Sequence, residues 1–176
     1  MLARFRQRHE RQTGGFTLID LMVTLTIIAV MAAVLFPRMN DDGRLRLIAG
    51  SRLLASDIEM AQIMTISRPN DPVVIKFEPA LGTYWLAPAS DPDTPILRPG
   101  ATQVYKVVFG HGRGRTAKDV TIALTDVTDN MLIFNGQGGI LDPTLEPKIK
   151  LMQGSRWTTL TVSTMTGAIS ETAGGG

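Results

Sequence analysis

The chain has 176 residues, 18 basic and 16 acidic side chains, a formal net charge of +2 and no cysteine. This length suffices for one membrane anchor and one small domain, and the lack of cysteine excludes disulfides and thiolate metal sites. The first 15 residues contain four arginines and one glutamate, so the remainder carries 14 basic and 15 acidic side chains. The basic balance therefore belongs to the N-terminus and does not indicate nucleic-acid binding.

The first predicted element is an apolar helix over residues 16–36, in which Asp20 is the only charged residue. As an α-helix these residues would extend about 30 Å, the thickness of the hydrocarbon core of a bilayer. Arginines precede the segment, which places its N-terminus in the cytoplasm and the rest of the chain outside the cytoplasmic membrane. The alternative is a buried core helix, which the flanking arginines disfavour.

A conventional secretory signal is a second alternative, and it requires small residues after the apolar run. Residues 32–34, Ala-Ala-Val, are a weak candidate. The more prominent small residues, Gly14 and Gly15, lie before the apolar run. A cut at this point would leave the apolar helix at the new N-terminus of the mature protein.

Residues 15–34 read GFTLIDLMVTLTIIAVMAAV. This segment resembles the N-terminus of type IV prepilins and type II secretion pseudopilins. The resemblance implies that a prepilin peptidase cuts after Gly15 and then N-methylates Phe16. It also places Pro37 where that family has its helix-kinking proline.

Asp20 departs from the family pattern, which usually has glutamate at this position. A carboxylate in lipid is costly and normally has a partner. The resemblance implies that Asp20 pairs with the terminal amine of a neighbouring subunit during assembly, with a side chain shorter by one methylene. The first helical turn also favours a negative charge through the helix dipole. The shorter side chain favours a minor subunit over the main subunit of a filament.

Helical periodicity returns over residues 44–67, and the apolar stripe predicts an amphipathic helix packed on the domain that follows: Leu47, Leu54, Ile58, Ala61 and Thr65. Asp57 and Glu59 lie two positions apart and so point in different directions, which argues against a catalytic pair. We predict that both lie on the solvated face of the helix. Arg68 and Pro69 end the helix.

Short strands with turn signals follow the helix and predict a β-sandwich or two small sheets: residues 73–77, 83–86, 103–109, 119–124, 131–134, 139–141, 148–152, 157–162 and 168–170. The predicted fold is α+β, with a long N-terminal helix packed on a C-terminal antiparallel β-sandwich. We divide the chain into a leader, a transmembrane and assembly helix, a kinked amphipathic helix, a globular β-domain and a flexible tail: residues 1–15, 16–36, 37–67, 68–173 and 174–176.

The part after the anchor resembles the GspH/FimT family. The resemblance rests on the helix end at residues 54–73 and on two glycine-containing hairpins, residues 133–139 and 160–169. It implies a minor pseudopilin in a periplasmic pseudopilus of a type II secretion system. The implied partners are prepilin peptidase, other pseudopilins or pilins, the inner-membrane assembly platform and membrane lipid.

Enzymatic activity is not expected. The two histidines, His9 and His111, lie in the leader and in a glycine-rich loop, and neither is near a matched acid and nucleophile in sequence. No His/Asp/Glu cluster has metal-ligand spacing. The sequence therefore predicts no catalytic residue, metal or cofactor.

The alternative function is DNA binding, as in FimT-like minor type IV pilins that act in natural transformation. The turn at residues 166–171, which matches their arginine-bearing segment, contains no arginine and one acid. Arg113, Arg115 and Lys118 remain candidate phosphate contacts. We favour an ordinary mobile hairpin loop at these residues and do not expect DNA to be a partner.

Overall fold

The computed structural model describes residues 17–35 and 42–175. The chain divides into two compact units, Met1–Asn40 and Asp41–Gly176. The described residues of the first unit form one α-helix, α1, and those of the second form one α-helix, α2, three short 3₁₀ helices and eight strands.

Helix α1 covers Leu18–Leu35 and presents apolar side chains in every direction. Leu18 is 77% exposed and Ile28 is 62% exposed, so this surface has no packing partner among residues 17–35. The hydroxyls of Thr24 and Thr26 donate to main-chain carbonyls one turn earlier at 2.6 and 2.8 Å, which satisfies these polar groups inside the helix. Within the described parts of the chain, neither helix is long and apolar enough to cross a membrane.

Helix α2 covers Asp42–Ser67, with the acidic Asp42 in its first turn. The predicted apolar stripe is confirmed, because each of its members is buried: Leu47, Leu54, Ile58, Ala61 and Thr65. The hydroxyl of Thr65 accepts from the main-chain N–H of Val73 at 3.0 Å and donates to the carbonyl of the same residue at 3.1 Å. These two bonds attach the C-terminal end of α2 to the start of the first strand.

The eight strands form two four-stranded antiparallel sheets: β1 Val73–Glu78, β2 Thr83–Pro88, β3 Lys106–Val108, β4 Thr121–Thr125, β5 Met131–Ile133, β6 Lys148–Gln153, β7 Arg156–Val162 and β8 Ile169–Gly174. The first sheet has the order β3-β2-β1-β5, and the second has the order β4-β6-β7-β8. In the first sheet Ile75 pairs with Leu86, and in the second Ile149 pairs with Leu160. All four of these side chains are fully buried, so each sheet turns its apolar face inward.

One hydrophobic core joins α2 to both sheets. It includes Leu54 and Ile58 from the helix, Tyr84 from the first sheet and Leu151 from the second. Tyr84 lies 6.0 Å, centroid to centroid, from both Phe77 and Phe109, a spacing typical of favourable aromatic pairs. The predicted α+β class, a helix followed by two antiparallel sheets, is confirmed.

Three of the predicted strands differ most in extent from the structure. The strand expected over residues 103–109 is limited to Lys106–Val108, and the one expected over residues 139–141 is a single bridge between Phe134 and Ile140. The side chain of Asn135 accepts from two main-chain N–H groups within this connection, so the backbone follows a turn instead of a ladder. Strand β8 continues to Gly174, the first residue of the predicted tail.

The two glycine-containing hairpins pack against each other and against α2. A Cβ on Gly139 would lie 2.6 Å from the carbonyl oxygen of Thr164, and a Cβ on Gly167 would overlap the backbone of Gly138. Gly167 also has a positive φ of 68°, which favours glycine. Gln62 of α2 donates to the carbonyl of Gly167 at 2.7 Å. These glycines therefore permit a close approach of two loops at the C-terminal end of α2.

Candidate functional site

Asp20, the predicted assembly residue, lies in the first turn of α1 and closes a capping box with Thr17. The Thr17 hydroxyl and the Thr17 main-chain N–H donate to Oδ2 of Asp20 at 2.8 and 3.1 Å. In return, the main-chain N–H of Asp20 donates to the Thr17 hydroxyl at 3.3 Å. This reciprocal arrangement satisfies donors at the start of the helix. The T-x-x-D spacing of Thr17 and Asp20 indicates this capping box in the sequence, and we did not predict it.

The capping bonds leave half of the carboxylate of Asp20 available. Both bonds end on Oδ2, and Oδ1 has no hydrogen-bond partner among the described residues. The residue is exposed and is the only charged residue of α1. An exposed carboxylate oxygen at the end of an apolar helix is a suitable acceptor for an ammonium group of another chain.

Three other predicted site residues lie outside the described part of the structure. These are the cleavage residues Gly15 and Phe16 and the predicted kink residue Pro37. Their roles remain predictions from the sequence.

Asp57, predicted to face solvent, is instead completely buried in the second unit. Its Oδ2 accepts from the hydroxyl of Tyr84 at 2.8 Å, and its Oδ1 accepts from the hydroxyl of Tyr105 at 2.8 Å. The Arg113 guanidinium donates to both oxygens, at 3.1 and 3.5 Å. The prediction was wrong for Asp57 because three donors compensate its desolvation. Glu59 is exposed, as predicted.

The two tyrosines remain hydrogen-bond donors at neutral pH. Burial, followed by the charge of Asp57, raises the pKa of Tyr84 well above its ordinary value. Burial also raises the pKa of Tyr105. Both hydroxyls therefore keep their protons and stabilise the carboxylate of Asp57.

Arg113, Arg115 and Lys118 lie on or just after a 3₁₀ helix, Gly112–Ala117. Arg113 is the most restrained, because it pairs with Asp57 and its guanidinium carbon lies 5.4 Å from the Tyr105 ring centroid. Gly114 is buried, and a Cβ there would overlap the carbonyl of Val108. These contacts hold the segment as a 3₁₀ helix, which differs from the ordinary hairpin that we predicted. Arg115 and Lys118 are exposed, and DNA contact by any of the three stays a prediction.

The described residues contain no group of three or more His, Cys, Asp or Glu side chains that could hold a metal ion. Chemically, the two acidic sites differ in what they can do. Asp20 can accept a bond from another molecule, whereas Asp57 is fully occupied within the domain.

Comparison with known families shows that residues 11–36 match the model of the prokaryotic N-terminal methylation motif. This motif is typical of type IV prepilin-like proteins, which are membrane-anchored, processed by prepilin peptidase and assembled with other pilins. No curated protein and no solved structure matches the chain. The match includes Gly15, Phe16 and Asp20, and it ends before the second unit.

Proposed function

We propose that this chain is a structural subunit that assembles through α1, because its N-terminus is of the type IV prepilin kind. Prepilin peptidase cuts between Gly15 and Phe16 and methylates the new N-terminus at Phe16. The single observation that carries the proposal is the matched methylation motif at residues 11–36. The surface of α1 agrees with it, since its exposed apolar side chains require lipid or neighbouring helices.

Asp20 directs assembly in this proposal. Its free Oδ1 accepts from the terminal amine of the preceding subunit, while Thr17 holds Oδ2 and orients the carboxylate. A charge pair inside an apolar bundle is strongly favoured over an unpaired carboxylate. The pair therefore sets the register of one α1 against the next.

We further propose a minor pseudopilin of the GspH type, in a periplasmic pseudopilus of a type II secretion system. The chain is anchored once in the inner membrane with its N-terminus in the cytoplasm, and the inner-membrane assembly platform inserts it into the fibre. We choose the GspH type over the DNA-binding FimT type because the turn at residues 166–171 contains no arginine and one acid. The proposal assigns the chain no catalytic activity and no cofactor.

The test compares Asp20→Ala with Asp20→Glu in cells that express the full chain. We expect Asp20→Ala to lower incorporation into sheared fibres at least about tenfold, since an unpaired amine in an apolar bundle costs several kcal/mol. Asp20→Glu keeps the charge and should assemble normally. Mass spectrometry of the mature protein should show N-methylated Phe16. Normal incorporation of Asp20→Ala would contradict the role of the charge pair, and an intact leader would contradict the processing.

The second candidate is a FimT-like minor type IV pilin that binds DNA. The observation that favours it is the exposure of Arg115 and Lys118 on neighbouring turns. It predicts that the purified protein shifts duplex DNA in a salt-dependent way, and that Arg115→Ala with Lys118→Ala removes the shift. These two residues are better targets than Arg113, whose substitution would also expose Asp57. No shift at low salt would eliminate this candidate.

A further inference from the structure

The second unit contains an apolar pocket near the C-terminal end of α2. A cavity of about 210 Å³ lies beside β5 and the segment that precedes β6, and its apolar lining includes Met131, Leu141, Leu145 and Pro147. Leu141 is 57% exposed, so the pocket opens to solvent. A dry cavity of about 150 Å³ holds a benzene molecule. This pocket therefore has room for one branched aliphatic side chain.

The rim of this pocket is acidic. Asp126 and Asp142 line it directly. The segment around it, residues 125–148, contains four acids and one base. The base, Lys148, pairs with Glu146 at 2.9 Å. The pocket, called here the acidic-rimmed pocket, thus suits an apolar side chain that has positive charges beside it.

The first turn of α2 presents such a side chain. Leu45 is 63% exposed and lies between Arg44 and Arg46. The Arg46 side chain pairs with Asp119 at 2.9 Å and is still 31% exposed. Among the exposed large apolar side chains of residues 42–175, Leu45 alone has a basic residue on each side. We call this feature the Leu45 knob.

The pocket and the knob lie at opposite ends of α2. Ile140, which lines the pocket, donates its main-chain N–H to Thr164 at 2.9 Å. Gly138, two residues before Ile140, lies against Ile66 in the last turn of α2. Leu45 lies 21 residues earlier, which is about 31 Å along a helix. The knob of one copy therefore cannot reach its own pocket.

We propose that the Leu45 knob of one copy inserts into the acidic-rimmed pocket of a second copy. Arg44 and Arg46 then lie beside Asp126 and Asp142, and Leu45 fills the cavity. Because the two surfaces differ and lie at opposite ends, the contact is heterologous and repeats head to tail. This inference rests on the proposed function: it names a contact between the second units of two copies, which adds to the packing of their α1 helices.

The cysteine-free chain permits a direct test by cross-linking. Full-length Leu45→Cys and Leu141→Cys proteins are mixed in detergent micelles and treated with a short bismaleimide. We expect the mixture to form dimers and the double variant to form a ladder of oligomers. The matched control replaces Leu45→Cys by Leu81→Cys, which is equally exposed but has no basic neighbour. This control should stay largely monomeric.

Charge reversal provides the second arm. Adding Arg44→Glu to the double-cysteine protein should reduce the ladder at least about fivefold, and Asp142→Arg should restore it, because like charges oppose one another across the contact. The contact is overturned if the Leu81→Cys pair cross-links as strongly as the Leu45→Cys pair, or if no ladder forms. It is also overturned if the charge reversal has no effect.

Failure of the head-to-tail contact can be distinguished from failure of the proposed pilin function. Both surfaces lie in the second unit, so Asp20→Ala should leave the Leu45–Leu141 ladder in micelles unchanged. A missing ladder from a chain that enters fibres normally would reject the head-to-tail contact alone. A ladder from a chain that retains its leader and stays out of fibres would reject the pilin role alone.

Discussion

The two helices of this protein contain aspartates with opposite surroundings. Asp20 lies on α1, is exposed, and uses one carboxylate oxygen to cap its own helix. Asp57 lies on α2, is completely buried, and has three donors from other parts of the domain. The same side chain thus serves two purposes. On α1 it remains available to another molecule, and on α2 it joins the helix to both the first sheet and the 3₁₀ helix Gly112–Ala117.

The surfaces of the two helices differ in the same way. The apolar side chains of α1 face outward on every side, whereas those of α2 form a buried stripe. A helix without a buried face obtains its stability from lipid or from other subunits. Helix α2 is packed against its own domain and leaves Leu45 exposed, which is the residue that we propose contacts a second copy.

The largest expected effect is the loss of Asp57. Asp57→Ala leaves two buried tyrosine hydroxyls and the Arg113 guanidinium without their acceptor, and we expect it to lower the free energy of unfolding by about 3–5 kcal/mol. Chemical denaturation followed by circular dichroism measures the change. Glu59→Ala, an exposed substitution on the same helix, is the control and should change it by less than about 0.5 kcal/mol. A small effect of Asp57→Ala would show that the buried cluster does not stabilise the domain.

A smaller effect is expected for Arg113, because its side chain is one-third exposed. Arg113→Ala leaves Asp57 with its two tyrosine donors, and we expect a loss of about 1–3 kcal/mol in the same measurement. Arg115→Ala lies on the same 3₁₀ helix without a buried partner and should have almost no effect. Equal effects of the two substitutions would remove the distinction between a structural and a surface arginine.

Alkaline pH should weaken the cluster around Asp57. The pKa of Tyr84 is raised by burial and then by the charge of Asp57. The folded state therefore holds the Tyr84 proton more tightly than the unfolded state. The stability that this proton contributes is complete below the ordinary pKa of 10.0 and is lost as pH rises towards the pKa of the folded state. Denaturation between pH 8 and 11 should show a falling free energy of unfolding. Tyr84→Phe should have a shallower decline, and identical slopes would exclude this contribution.

The smallest expected effect concerns the cap of α1. Thr17→Val removes the reciprocal bonds with Asp20 made by the hydroxyl and should destabilise the helix start by about 1 kcal/mol. Amide hydrogen exchange of the full chain in micelles should become faster in the first turn, while Thr26→Val leaves that turn unchanged. Unchanged exchange in Thr17→Val would contradict the capping role.

Local patterns predicted much of the fold. The spacing of Leu47, Leu54 and Ile58 indicated which face of α2 is buried, because helical periodicity places these residues on one side. The strands β1 and β2 were also predicted, since two runs rich in β-branched and aromatic residues flank a turn that contains Gly82. The predicted strand at residues 139–141 failed because the side chain of Asn135 bonds the backbone of its own turn.

The burial of Asp57 could not be predicted from such patterns. Its partners Tyr84, Tyr105 and Arg113 lie 27, 48 and 56 residues further along the chain. No local periodicity relates these positions, and a charged residue on a helix is normally solvated. Only a fold that brings three donors together makes burial of this carboxylate favourable.

The sequence alone determined the N-terminal character of the protein: the methylation motif, the apolar helix and a single carboxylate in its first turn. These are properties of neighbouring residues, and a contiguous segment expresses them without the rest of the chain. The tertiary structure alone decided that Arg113 is paired inside the domain, and that the Leu45 knob and the acidic-rimmed pocket lie at opposite ends of α2. Those relations depend on contacts between distant residues, which exist only after both sheets have packed on the helix.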